Sequence, residues 1–152
     1  MKSLEPLRRS FAGELLLPAD REYDLHREVW NAAVDRRPAV IARCTSADDV
    51  VSAIRFGRDA GLEIAVKCGG HSVLGLSVPD GGLMIDLTLM DAVRVDPHVR
   101  RAWVQGGALL RGLDQNALPH GLATTAGNVS HTGVGGLTLG GGMGWLSGQA
   151  GS

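Results

Sequence analysis

An α+β fold with a parallel sheet near its start is what the sequence predicts, on three observations. Ala39-Val40-Ile41-Ala42-Arg43 and Ile64-Ala65-Val66 are apolar, strand-like runs on either side of a helical segment, a βαβ unit within about thirty residues. Ala92-Val93-Arg94-Val95 and Arg101-Ala102-Trp103-Val104-Gln105 flank the turn Asp96-Pro97-His98, which reads as an antiparallel hairpin. Glycine is the third signal: 22 of 152 residues, roughly twice ordinary usage, with only Gly13 and Gly57 before residue 61. Glycine loses the most backbone entropy on folding, so such clustering needs either repeated positive φ or something pressed close against the chain.

Composition removes several classes. Hydrophobic residues make up 44%, charged residues 20%, and the net charge is −1. That balance excludes disordered, collagenous and coiled-coil chains. No run approaches the ~18 apolar residues of a membrane span. The 13 arginines and 2 lysines are scattered, without the basic patch that nucleic acid requires. Cys44 and Cys68 make neither a disulfide framework nor a zinc site, and read as reduced thiols of a cytoplasmic protein.

Residues 1–35 read as a solvated leader and a short helix. Arg8-Arg9-Ser10-Phe11 resembles a twin-arginine signal, but Leu15-Leu16-Leu17 stops at Pro18, short of an apolar core. Residues 1–22 carry little pattern and are expected to wrap the surface. Tyr23, Trp30 and Val34 at helical spacing predict a helix that ends before Arg36-Arg37-Pro38. Beyond the first strand, Ser46 caps a helix with Asp49 as capping-box partner, Val50, Val51 and Ile54 as buried stripe, and Gly61 as C-cap. The strands around it should be parallel neighbours. Pro79-Asp80-Gly81-Gly82 is a turn before the strand Leu83-Met84-Ile85-Asp86-Leu87. A helix of about nine residues, 109–117, precedes Pro119-His120-Gly121.

The chemistry is expected in two glycine segments. Lys67-Cys68-Gly69-Gly70-His71-Ser72 follows the carboxyl end of a parallel strand, the usual ligand edge of an α/β sheet. The other segment runs from Gly127 to Trp145. Neither contains G-x-G-x-x-G: the third glycine is replaced by Thr138, Trp145 or Ser147 in the three frames that start one. A Walker loop is absent, and so is the G-x-S-x-G elbow of serine hydrolases. Bare main-chain N–H groups still bind anions, and a pyrophosphate could lie against residues 68–72. His71 stands at the mouth of that cradle, as nucleophile, base or ligand. No second ligand sits at metal spacing, so no metal is expected.

These residues resemble a known family. Lys67 to Ser72 with Gly75 and Ser77, then Asp80-Gly81-Gly82-Leu83, Ile85-Asp86-Leu87, Val104-Gln105-Gly106-Gly107-Ala108 and the 132–145 tract are similar to the first half of a PCMH-type FAD-binding domain. The branch is that of the berberine-bridge-enzyme-like and 6-hydroxynicotine-oxidase-like FAD-linked oxidoreductases. The resemblance is collinear from about residue 15 to 148. It implies a PCMH-type fold that is incomplete here, the first α/β subdomain plus the start of the second, with the FAD-binding domain over 36–152 and truncated on its C-terminal side.

The resemblance implies FAD, joined by one covalent bond from His71 to the flavin 8α-methyl. Cys68, Gly69, Gly70, Ser72, Gly75 and Ser77 would cradle it from one side, and Thr132, Gly133, Gly135, Gly136, Gly140, Gly141 and Gly142 from the other. A second attachment would use a cysteine where Val129 stands, so one bond is expected. Thr132 occupies the position that influences oxygen access, which leaves oxidase and dehydrogenase both open. Lys67 and Cys68 depart from the family's usual arginine and small residue. The resemblance also implies hydride transfer from a small-molecule substrate to flavin N5 and oxygen as acceptor, with the catalytic base in a later part of the family's chain. The chain alone is expected to hold FAD weakly and to associate. A non-catalytic remnant of the fold and an unrelated nucleotide-binding α+β module are the alternatives.

Overall fold

Val40–Arg43 (β2) and Leu83–Asp86 (β4) are apolar at nearly every position, the pattern of strands covered on both faces. In the computed structural model, which describes residues 3–150, they are parallel neighbours, paired from Val40↔Leu83 to Arg43↔Asp86. Ile64–Lys67 (β3) pairs in parallel with the other side of β4. The expected adjacency of β2 and β3 is therefore corrected: both are parallel members of one sheet, with β4 inserted between them. The more completely buried strand takes the centre, and β3, with Val66 half exposed, takes the edge.

The helix between β2 and β3, Ala47–Ala60 (α3), has the expected Ser46 cap, with Oγ accepting from Asp49 N–H at 3.2 Å. The Asp49 carboxylate, however, bonds Thr45 and Ala12 instead of closing a capping box on Ser46 N–H. Its Gly61 cap lies in the left-handed region, at φ 64°. The buried stripe differs in part: Val50 packs against the core as expected, half-buried. Asp49, Ala53 and Gly57 face the sheet, whereas Val51 and Ile54 are exposed. Small residues win that face because the helix lies close: a β-carbon at Gly57 would stand 2.8 Å from Ile64 Cδ1. One core layer joins Val40, Ala42, Ala53, Leu83 and Ile85; the opposite face of the sheet gathers Leu16, Tyr23, Ile41, Val78 and Met84. Each fully buried Val, Leu, Ile or Met side chain there contributes about 1.5–3 kcal/mol.

The N-terminal segment corrects a second expectation. Instead of wrapping the surface it forms Glu5–Ser10 (α1), which buries Leu7, and Glu14–Leu16 (β1), an antiparallel fourth strand on the outer edge of β2. The helix at Tyr23 is one turn, Tyr23–Arg27 (α2). Tyr23 is fully buried and its hydroxyl donates to Pro38 O at 2.6 Å, while Trp30 and Val34 lie beyond the helix and Trp30 is 63% exposed.

Val93–Asp96 (β5) and Arg101–Val104 (β6) form the expected hairpin, registered from Val93↔Val104 to Asp96↔Arg101. Leu110–Ala117 (α4) packs on it, followed by a short 3₁₀ turn, Leu118–His120. The glycine tract holds a helix that the sequence reading does not contain, Val134–Gly140 (α5), and the described chain closes with Ser147–Ala150 (α6). Among the described residues no helix is long and apolar enough to cross a membrane.

Candidate functional site

The loop after β3 is fixed by the segment that follows α2. Lys67 is buried, and its ammonium donates to the carbonyls of His26 at 2.6 Å and Glu28 at 2.8 Å. Burial pulls the Lys67 pKa down, with Asp86 opposing. Trp30 N–H donates to Gly70 O, and Asn31 Nδ2 to Val73 O. The Arg36 guanidinium gathers the carbonyls of Leu74, Gly75 and Val78. Gly70 and Gly75 hold φ near +67° and +69°, conformations that suit glycine.

The second loop is tied to the start of α4. Leu110 N–H donates to Thr132 O and Arg111 N–H to Ser130 O, both at 2.9 Å, and Val134 N–H donates to Ala108 O at 2.8 Å. The two loops then meet main chain to main chain. A β-carbon on Gly69 would overlap the Gly133 amide, and one on Gly133 would overlap that of Gly69. Part of the glycine content therefore serves contact between the loops as well as the shape of the wall beside them.

Beside this junction lies a groove of about 500 Å³. Cys68, Gly69, Gly70, His71, Ser72 and Ser77 line it from one side, and Thr132, Gly133, Gly136, Gly140 and Gly141 from the other. Gly75, Gly135 and Gly142 are not on its wall. Gly75 abuts Val34, Gly135 packs against Gly106 O and Cys68 Sγ, and Gly142 faces Leu137. A second cavity, about 720 Å³, shares Cys68, Gly69 and His71 as wall and adds Trp30, Asp91, Arg111, Gln115 and His131.

His71 thus stands where the two cavities adjoin. Its Nε2 lies 2.7 Å from Nδ1 of His131, with ring centroids 4.7 Å apart. Trp30 stacks on it at 5.6 Å and 17°. Burial, then the neighbouring His131, lower its pKa and keep the imidazole neutral. Cys68 is also raised by burial and stays a thiol. His131 and Trp30 are the site residues that the sequence reading missed. They lie 60 and 41 positions from His71, and only the fold brings them to it.

The groove suits a dinucleotide. Ser77 Oγ is buried and has no hydrogen-bond partner, an unmet donor beside the wall. A β-carbon at Gly136, Gly140 or Gly141 would meet no protein atom within 4 Å, so those positions leave space at the groove. Residues 38–152 match the family described as "FAD binding domain". The chain belongs to that family.

Within it, the chain resembles FAD-linked oxidoreductases of known structure and name. It is 39% identical over 138 residues to (R)-6-hydroxynicotine oxidase of Paenarthrobacter nicotinovorans, covering 91% of this chain and 30% of that protein. It is 40% identical over 119 residues to berberine bridge enzyme-like D-1 of Nicotiana tabacum, covering 73% of this chain and 21% of that one. The crystal structure of 6-hydroxy-D-nicotine oxidase from Arthrobacter nicotinovorans superposes with a TM-score of 0.93 at 39% identity, covering 99% of this chain and 33% of the other. The fold is the expected PCMH-type FAD-binding fold, incomplete, since the chain spans about a third of these relatives or less.

Proposed function

We propose that the chain is the FAD-binding portion of an oxidoreductase that takes a hydride from a small-molecule substrate. Residues 36–152 form the binding unit, and the N-terminal segment before them supplies β1 to its sheet. The observation that carries this reading is the position of His71, a neutral imidazole at the common wall of two cavities. His71 is the covalent attachment point, through the flavin 8α-methyl. Gly69, Gly70, Ser72 and Ser77 hold the cofactor from one loop, and Thr132, Gly133, Gly136, Gly140 and Gly141 from the other.

Bound there, FAD supplies the two-electron acceptor for the substrate hydride, with oxygen as the group that takes the electrons on. The protein's own contribution is anchoring and exclusion. Main-chain N–H groups in loops without β-carbons bind phosphate oxygens closely, and the Ser77 hydroxyl adds a side-chain donor. Trp30 covers one face of His71 and screens it from water. The cytoplasmic setting rests on Cys44 and Cys68, both free thiols, with Cys44 pushed up to about 12 by burial and by Asp49 and Asp86.

The test is the intact mass of the protein as the cell makes it. A mass increase of one FAD that survives acid precipitation is expected, and its loss in His71→Ala. An acid-stable flavin on the His71→Ala protein overturns the assignment.

A further inference from the structure

We propose that His131 is the positioning residue that sets His71 up for attachment: its Nδ1 accepts the Nε2–H of His71, so the free lone pair of His71 sits on Nδ1. This inference rests on His71 being the attachment point.

When both imidazoles are uncharged, nitrogens 2.7 Å apart share one hydrogen. Two N–H groups would collide there and two lone pairs would repel, so the pair has two arrangements. If His131 donates, His71 accepts on Nε2 and carries its own hydrogen on Nδ1. Both ring nitrogens are then closed, and the imidazole has nothing to bond with. If His71 donates, Nδ1 is bare and nucleophilic.

Geometry holds the pair together. The Gly69–Gly133 main-chain contact fixes the spacing of the loops that carry the two histidines. Trp30, stacked at 17°, limits the tilt of the His71 ring from its other neighbour. His131 is solvent-exposed, so a proton that it receives has a way out.

A C–N bond from His71 Nδ1 to the flavin 8α carbon replaces one C–H bond of the methyl group. The methyl proton is released, and the Nε2 proton passes to His131 and then to solvent. The two electrons left in the flavin are taken by molecular oxygen, which leaves with two protons as hydrogen peroxide.

The experiment is two-bond ¹H–¹⁵N correlation on histidine-labelled, flavin-free protein, paired with the rate of FAD attachment followed by intact mass. The wild-type spectrum is expected to show His71 protonated on Nε2 and bare on Nδ1. In His131→Ala the His71 ring becomes a mixture of tautomers, and attachment slows about tenfold, the share that one neutral hydrogen bond controls. His131→Gln, whose carbonyl oxygen can accept the same hydrogen, restores both the tautomer and the rate. A wild-type His71 protonated on Nδ1, or an unchanged tautomer in His131→Ala, overturns the proposal. Should His131→Ala fail to fold, the wild-type spectrum and His131→Gln still decide. Equal attachment rates in wild type and His131→Ala refute the role of His131 and leave the attachment reading standing. The expected tautomer in a wild-type protein that never gains flavin mass does the reverse.

Discussion

The Asp49 carboxylate, 1% exposed, shows how much one side chain can hold. It accepts from Ala12 N–H at 2.7 Å, Thr45 N–H at 2.9 Å and Thr45 Oγ1 at 2.7 Å. It thereby joins the start of α3 to the segment between α1 and β1. Burial raises its pKa, but these bonds outweigh burial and hold it below the usual carboxylate value. Asp49→Ala leaves two main-chain donors unmet and is expected to cost about 2–4 kcal/mol in urea unfolding. The stabilisation is complete above the unfolded value near 3.8 and disappears as pH falls through the lower folded value. The native state of His71 resists protonation in turn, so stability also begins to fall as pH drops below 6.5, the ordinary histidine value. Thermal melting at descending pH measures both, and Asp49→Ala should remove the lower step only.

At the scale of elements, the two kinds of glycine in the site separate by experiment. Gly136 lies in α5 with open space around it. Gly136→Ala should raise stability by up to about 1 kcal/mol, as in any helix, while filling the groove and weakening FAD retention. Gly69→Ala drives a β-carbon into the Gly133 main chain, and both melting temperature and FAD retention should fall. Equal behaviour of the two variants would contradict the division between them. The sequence made the βαβ unit, the hairpin, the α3 caps and the first glycine loop legible, because each is set by local chemistry. Ser46, Gly61 and Asp96-Pro97-His98 act within a few residues of themselves. The rest depended on distance. Nothing local says that β4 enters between β2 and β3, or that Glu14-Leu15-Leu16 pairs with β2 rather than belonging to a leader. Val51 and Ile54 looked like the core side of α3 by apolarity, but the close approach at Gly57 reserves that side for small residues. Nothing in the sequence around His131 points to His71, because the two meet across 60 residues.

At the scale of the whole molecule, the apolar surface is unevenly placed. Leu139, Met143 and Trp145 are 92%, 84% and 89% exposed, all in or just after α5, and Val73, Leu74 and Leu76 are exposed beside the first loop. Exposed apolar side chains on a chain with a net charge of −1 meet little repulsion to oppose contact between copies. The 152-residue chain is expected to associate with rising concentration in light scattering. Leu139→Glu with Trp145→Glu should shift it toward monomer, and an unchanged profile would place the contact elsewhere.

The stacking of Trp30 on His71 gives the protein an optical readout of its own. Indole emission is quenched when the imidazole against it takes a proton. Titration toward acid should dim the Trp30 part of the fluorescence as His71 becomes charged, and Trp30→Phe should remove that pH-dependent part while Trp103 and Trp145 go on emitting. A dye-free measurement on the unlabelled chain would then follow the charge of one side chain in place.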